Sequence, residues 1–215
     1  MISRNKSILK EIYRRLNIAF GPQHWWPADT QFEVIAGAIL TQNTAWSNVK
    51  KAIDNLKSQK LLKPLALKNV NIKKLARLIR PSGYYNQKAK KLKNFISFLF
   101  ERYQGKLSKM FKQETSKLRE ELLEVNGIGP ETADSILLYA GERKVFVVDA
   151  YTKRILSRHK IIDASLDYAQ VQKLFMKNLL HDAKLFNEYH ALLVKLGKDI
   201  CKTKPNCSYC PLENL

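Results

Sequence analysis

Apolar residues recur at the three- and four-residue spacing of an α-helix along nearly the whole chain. The pattern is clearest over residues 32–40 and 92–103, where the apolar positions fall on one face. The only strand-like run, Val145–Val148, is too short to found a sheet. The spacing therefore predicts an all-α protein of about ten helices. Further helices are expected over 6–18, 44–58, 72–80, 115–124, 130–141, 150–159, 167–180 and 184–197.

The charge of the chain is strongly one-sided, with 38 Lys and Arg residues against 19 Asp and Glu residues and a net charge of +19. Such an excess favours a polyanionic partner, nucleic acid first, because each phosphate that a basic side chain neutralises releases a counterion. A solvated lysine surface and an anionic membrane surface are the alternatives. No apolar run approaches the roughly 18 residues that span a bilayer, and the N-terminus is no signal peptide, so we expect a cytoplasmic protein.

A helical hairpin is predicted in the segment LREELLEVNGIGPETADSILLYAG. Gly127 and Gly129 permit positive φ and the close approach of another backbone, and Pro130 suits the first turn of the second helix. Backbone N–H groups that are exposed in such a turn can bind a phosphate, and this binding does not depend on the base sequence of the nucleic acid. An ordinary αα-hairpin, with glycines needed only for chain reversal, is the alternative.

A single carboxylate, Asp149, stands between the run Val145–Val148 and a predicted helix. Asp is a good N-cap, and spacing alone favours that structural role. A carboxylate at a helix N-terminus can also face a developing sugar cation or activate water at neutral pH. The two roles are compatible.

Together, the hairpin LLEVNGIGPETADSILLYA and the later VFVVDAYTKRIL resemble the signature of the endonuclease III-like helix-hairpin-helix (HhH-GPD) DNA glycosylases. AILTQNT, PSGYYNQKAKKL and the cysteine tail resemble further parts of that family. The resemblance implies base excision repair on double-stranded DNA by a monomer with two helical lobes. We expect a six-helix lobe over 21–132 and a cysteine-loop lobe from 1–20 plus 133–215, with DNA across the cleft between them.

The resemblance also implies roles for single residues. Asp149 would stabilise the sugar cation or prepare the attacking water. Gln42 would lie near the gap left by a flipped nucleotide, although a helix-surface glutamine is the alternative. The residues expected to contact DNA are Gln42, Asn43, Gly127, Ile128, Gly129 and Thr132.

One position departs from the members of the family that also cut the DNA strand. Those members carry a lysine two residues after the hairpin, where this chain has Glu131. A neutral lysine amine can form a Schiff base with the sugar, whereas a carboxylate cannot. We therefore expect a monofunctional glycosylase, with Glu131 as an acid favoured by the helix dipole.

Aromatic residues near the N-terminus suggest a base pocket formed by Trp25, Trp26, Pro27 and Trp46, although tryptophans most often serve the core. Flat, electron-rich side chains suit a flipped, cationic alkylated purine. The WWP tract together with RPSGYYNQKAK resembles the 3-methyladenine DNA glycosylase III group of the family. Its implied substrate is an alkylated purine such as 3-methyladenine. The alternatives are a mismatch or oxidised-base glycosylase and a non-catalytic DNA-binding module.

The cysteines Cys201, Cys207 and Cys210 crowd the end of the sequence, which suits a metal or cluster loop in a reducing compartment better than a disulfide framework. The tail resembles the loop that holds a [4Fe–4S] cluster in many endonuclease III-like enzymes. The spacing here is C-x5-C-x2-C, whereas that loop has the pattern C-x6-C-x2-C-x5-C, and its fourth cysteine would fall one residue beyond Leu215. Zinc, or no metal at all, is the alternative.

Overall fold

The protein is helical throughout, as predicted. A computed structural model describes residues 2–215, with side chains from residue 5 onward; residue 1, part of the second predicted lobe, lies outside this range. Between these limits the chain forms no β-strand. The α-helices are α1 (Ile2–Phe20), α2 (Gln31–Leu40), α3 (Trp46–Ser58), α4 (Pro64–Asn69), α5 (Ile72–Leu78), α6 (Tyr85–Tyr103), α7 (Leu107–Met110), α8 (Thr115–Glu124), α9 (Pro130–Ser135), α10 (Ala150–Arg158), α11 (Tyr168–Asn178) and α12 (Ala183–Asp199).

Short elements account for most differences from the predicted helices. α4 and α7 were not predicted, because helices this short show no apolar repeat. α9 continues into a π-helical turn, Ile136–Ala140, within the predicted helix 130–141. Such turns are frequent at functional sites.

The strand-like run Val145–Val148 is buried but pairs with no strand among the described residues. Side chains of α11 satisfy its backbone instead: Gln172 Nε2 donates to the Phe146 carbonyl at 2.7 Å. The Phe146 ring stacks on Phe175 with 3.8 Å between centroids. The apolar run therefore reflects burial of an extended segment, not a sheet.

The chain divides into two compact units. The hairpin unit is Trp26–Gly141, and the carboxylate unit comprises Met1–Trp25 and Glu142–Leu215. The first extends beyond the predicted lobe end at residue 132 because the π-helical turn packs on α2. Gln31 Nε2 at the start of α2 donates to the Ala140 carbonyl at 2.8 Å.

Each unit has its own core. In the hairpin unit, α2 is buried along nearly its whole length, and Thr30 caps its N-terminus by accepting from the Glu33 amide. In the carboxylate unit, α1, α11 and α12 pack around a cluster of aromatic rings, Phe146, Phe175, Phe186 and Tyr189. No helix of the described chain is long and apolar enough to cross a membrane.

Candidate functional site

The predicted hairpin is formed by α8, the glycine loop and α9. Asp134 of α9 is fully buried and makes a two-pronged contact with Arg119 of α8, with Nε–Oδ1 at 2.7 Å and Nη2–Oδ2 at 3.1 Å. A bidentate pair of this kind fixes orientation as well as distance. The two helices of the hairpin are thus braced against each other.

The two glycines of the loop differ in their reason for being glycine. Gly127 has φ +94°, and a Cβ built there would lie 2.4 Å from Lys91 Cγ, so both the backbone conformation and the space require glycine. Gly129 has φ −93°, and a Cβ there would meet no atom within 4 Å. Gly129 is exposed, and within the described chain its amide donates to no protein acceptor. The second glycine therefore leaves an open approach to the backbone.

Ile128 lies between the glycines. Its amide donates to the Val125 carbonyl at 2.9 Å, and its side chain is buried. The amide that we expected to face phosphate therefore already has an acceptor inside the turn, and Ile128 anchors the loop through its side chain.

Gln42, predicted to lie near DNA, is bonded to the hairpin. Its Nε2 donates to the Gly127 carbonyl at 3.1 Å and to Thr132 Oγ1 at 2.9 Å, while its Oε1 accepts from Lys91 Nζ. Thr132, another predicted DNA contact, is buried beneath this glutamine. Asn43 is exposed, with φ +52°. The QNT loop (residues 41–44) and the hairpin loop thus form one hydrogen-bonded surface.

A buried lysine supports the QNT loop from below. Lys88 Nζ donates to the Leu40 carbonyl at 2.8 Å, to Thr44 Oγ1 at 2.6 Å and to the Ser82 carbonyl at 2.6 Å. Burial, helped by the charge of Lys91, lowers the pKa of Lys88 to about 8. The ammonium thereby joins the end of α2 to the turn that precedes α6.

The carboxylate predicted to be catalytic is the N-cap of α10. Asp149 Oδ1 accepts from the Thr152 amide at 2.7 Å, and Oδ2 lies 3.7 Å from His190 Nε2 on α12. About a tenth of the side chain, 11%, is exposed. The anchored segment that ends at Val148 fixes where the carboxylate stands. The capping interpretation is therefore correct, and one oxygen remains free of the helix.

Three aromatic side chains meet in the hairpin unit. Trp26 packs edge-on against Trp46, with ring centroids 5.1 Å apart, and against Tyr139 of the π-helical turn at 5.2 Å. Gly37 of α2 admits the Trp26 ring, since a Cβ there would lie 3.0 Å from Trp26 Cζ2. Pro27 is exposed beside them. Trp25 belongs to the carboxylate unit and is half-buried.

The cysteine tail is held by arginines of α10. Arg158 Nη1 lies 3.3 Å from Cys201 Sγ, and Arg154 donates to the Cys201 carbonyl. Cys201 is buried, Cys207 is exposed, and burial raises the pKa of the Cys210 thiol. Within the described residues, no three His, Cys, Asp or Glu side chains gather where they could hold a metal ion. These thiols alone do not fit a four-thiolate cluster.

Sequence reasoning located the hairpin, the QNT loop and Asp149 but missed four side chains around them: Lys88, Lys91, Tyr139 and His190. Lys88 and Lys91 lie in the segment PSGYYNQKAKKL and Tyr139 lies in the hairpin segment, but no role was predicted for any of the four. Lys88 and Lys91 are two of many lysines, and only the fold shows that Lys88 is buried. By the resemblance, Trp25 and Trp46 were predicted to stack on the base, with Trp26 and Pro27 shaping the pocket; the contact seen in the structure is between Trp26 and Trp46.

Comparison with known proteins decides the family. The model of the HhH-GPD superfamily base excision DNA repair proteins matches residues 36–180, a span that holds the QNT loop, the hairpin and Asp149. This chain belongs to the HhH-GPD superfamily. It is a DNA repair glycosylase, and its all-α architecture is the glycosylase fold predicted from the motifs.

Three relatives illustrate the similarity of this HhH-GPD protein to others. A protein of Methanocaldococcus jannaschii, provisionally named a DNA repair glycosylase, is 50% identical over 96% of this chain and 94% of its own. The crystal structure of the H. pylori 3-methyladenine DNA glycosylase bound to 1,N6-ethenoadenine has a TM-score of 0.78 and 31% identity, covering 90% of this chain and 97% of that one. A trapped endonuclease III–DNA covalent intermediate shares the fold, with a TM-score of 0.83 at 22% identity, covering 96% and 93%.

Proposed function

We propose that this HhH-GPD protein is a monofunctional DNA N-glycosylase that removes an alkylated purine, such as 3-methyladenine, from double-stranded DNA. The main observation that supports an alkylated purine as the substrate is the aromatic cluster of Trp26, Trp46 and Tyr139. It is supported by the likeness to a 3-methyladenine DNA glycosylase. Electron-rich aromatic faces attract a cationic ring, and an N3-alkylated adenine carries such a charge.

In this proposal the hairpin holds the backbone of the damaged strand. The exposed amide of Gly129 and the open space around it allow a phosphate oxygen to approach closely. The net charge of +19 adds an attraction to DNA that does not depend on sequence. Asn43 extends the same surface from the QNT loop, and Gln42 lies near the gap left by the flipped nucleotide once DNA replaces its bonds to the hairpin.

Asp149 supplies the negative charge that the reaction needs. Breaking the bond between base and sugar develops positive charge on the sugar ring, which a nearby carboxylate stabilises. The alkylated base is already a good leaving group because it departs as a neutral molecule. Little protonation by the enzyme is then required, and selectivity rests on the fit and charge of the aromatic cluster of Trp26 and Trp46 with the adjacent Pro27. Trp25 is a further proposed contact of the base.

Glu131 makes the enzyme monofunctional. It lies exposed in the first turn of α9, at the position where strand-cutting relatives carry a lysine. A carboxylate cannot form the Schiff base on which strand cleavage depends. The product is then an intact strand with an abasic site.

The experiment is a panel of duplexes that carry one lesion each, together with methylated DNA. We expect release of 3-methyladenine without strand cleavage, and no covalent product with borohydride, which traps Schiff bases. Preferential excision of mispaired thymine or adenine, or of an oxidised base, would show that the substrate is a different one. Salt-sensitive duplex binding with no abasic product on any lesion would show a binding module, and a borohydride-trapped complex would contradict the monofunctional proposal.

We also propose that Cys201, Cys207 and Cys210 contribute to a [4Fe–4S] cluster. The support is the family and the C-x2-C spacing of Cys207 and Cys210, since the three described thiols do not gather where they could hold a metal ion. Freshly purified protein should be brown and contain iron, and Cys207→Ser should lower both the visible absorption and the iron content. Colourless protein with bound zinc, or with no metal, would refute the cluster.

A further inference from the structure

The carboxylate unit holds a histidine beside Asp149 that no motif explains. His190 lies on α12, and only 6% of the residue is exposed. Its Nε2 is 3.7 Å from Asp149 Oδ2, the oxygen that does not cap α10. The two oxygens of Asp149 are thus divided between the start of a helix and an imidazole ring.

We propose that His190 is a positioning residue for Asp149: its neutral ring orients the carboxylate, and its protonation switches the carboxylate off. The inference rests on the proposed function, in which Asp149 faces the sugar. A bare ring nitrogen opposite a carboxylate oxygen would bring two lone pairs together, so the tautomer with its proton on Nε2 is favoured. At 3.7 Å the contact is longer than a hydrogen bond, so the N–H acts on Oδ2 through its electrostatic attraction.

The surroundings keep the ring neutral near pH 7. Burial lowers the pKa of His190 from its ordinary value, and the nearby Asp149 carboxylate raises it by a smaller amount. When the ring does take up a proton, it becomes a cation beside the carboxylate and cancels the charge intended for the sugar. Activity should therefore fall on the acid side.

Other charged groups near α12 have different partners. The helices packed on it are α1, α10 and α11, the last through the Phe175 and Tyr189 rings. The lysines of α11, Lys173 and Lys177, are exposed. On α1, Glu11 pairs with Arg14 and Arg15. On α10, Arg154 binds carbonyls of Gly197 and Cys201, and Arg158 binds those of Lys202 and Thr203. Lys153, half-exposed, lies one turn after Asp149, and Lys195 on α12 pairs with Asp199. Among all these described groups, the one that acts on the pKa of His190 is Asp149.

The coupling can be measured without any substrate. Nitrogen-15 NMR of the ring gives the pKa of His190 in the wild type and in Asp149→Asn. Removing the negative charge should lower that pKa further. An unchanged pKa would overturn the proposal, whether or not the protein proves to be an alkylpurine glycosylase.

The kinetic test compares the pH dependence of kcat/KM for release of 3-methyladenine from methylated duplex DNA. In the wild type we expect an acid limb that bends at the pKa measured by NMR, with about a tenfold loss for each pH unit below it. In His190→Gln the bend should disappear, kcat should fall and KM should stay unchanged. A purely structural role would lower activity without moving the bend.

His159→Gln is the matched control. Burial also lowers the pKa of His159, but this residue follows the far end of α10 from Asp149. Its replacement should leave the bend in place.

Both histidines bind protons more readily in the unfolded chain, so the stability of the fold falls as the pH drops below about 6.5. Melting curves must therefore confirm that the protein is folded at each pH. If the wild type releases no base, the proposed function fails. If it does release base but the acid bend of kcat/KM is the same in His190→Gln, only the inference about His190 fails.

Discussion

Asp149→Asn should strongly reduce base release and leave the fold unchanged. Asn is as good an N-cap as Asp, so the bond from the Thr152 amide to Oδ1 is retained. The variant loses only the negative charge that the developing sugar cation needs. We expect kcat to fall on the order of 10²- to 10⁴-fold, the contribution typical of a positioned acid or base, with little change in melting temperature.

Asp182→Asn is the matched control for this prediction. Asp182 caps α12 in the same unit, accepting from the Leu185 amide at 2.7 Å, as Asp149 accepts at α10. The chemical change and the helix position are the same, but no role in base release is assigned to it. Full activity in Asp182→Asn together with the expected fall in kcat in Asp149→Asn would separate catalysis from capping. Full turnover of Asp149→Asn would exclude the catalytic role.

Gly127→Ala should damage both the hairpin loop and its hold on DNA. A non-glycine residue at φ +94° costs on the order of 1–3 kcal/mol. The new methyl group would also displace Lys91, whose Nζ bonds to Gln42. We expect a lower melting temperature and, because charge-assisted bonds to phosphate are lost, a duplex affinity about 10- to 100-fold weaker.

Gly129→Ala distinguishes loss of structure from loss of contact. Its φ of −93° suits alanine and the space around it is open, so the fold should be unaffected. A methyl group there would nevertheless stand where we place the phosphate. Normal melting with weaker duplex binding, measured by fluorescence anisotropy at fixed salt, is the expected result. Unchanged affinity in Gly129→Ala would mean that DNA does not approach this glycine.

The sequence was most informative where a local rule decides the structure. Helical spacing predicted most of the helices, and the Gly-Ile-Gly turn predicted the hairpin, because both depend on neighbours along the chain. Asp149 was correctly interpreted as a cap for the same reason. The run Val145–Val148 was described as strand-like, but it forms no strand. A buried extended segment has the apolar composition of a strand whether or not it pairs with another.

Contacts between distant residues could not be predicted in this way. Gln42 has the sequence context of a surface residue, yet it bonds to the hairpin across 85 positions of the chain. His190 lies in an apolar helical repeat that gives no sign of a carboxylate nearby. Lys88 is indistinguishable by type from the lysines around it. In each case the role of the side chain depends on which distant residues it contacts in the fold. Those contacts cannot be predicted from a single sequence.

The buried ammonium of Lys88 has a consequence for protein engineering. The residues of the QNT loop do not fix its conformation by themselves. The Leu40 carbonyl and Thr44 Oγ1 both accept hydrogen bonds from Lys88 Nζ on α6. Grafting this segment onto another scaffold would transfer its amino-acid sequence but not its conformation. A transplant would have to carry the lysine and the Ser82 turn as well.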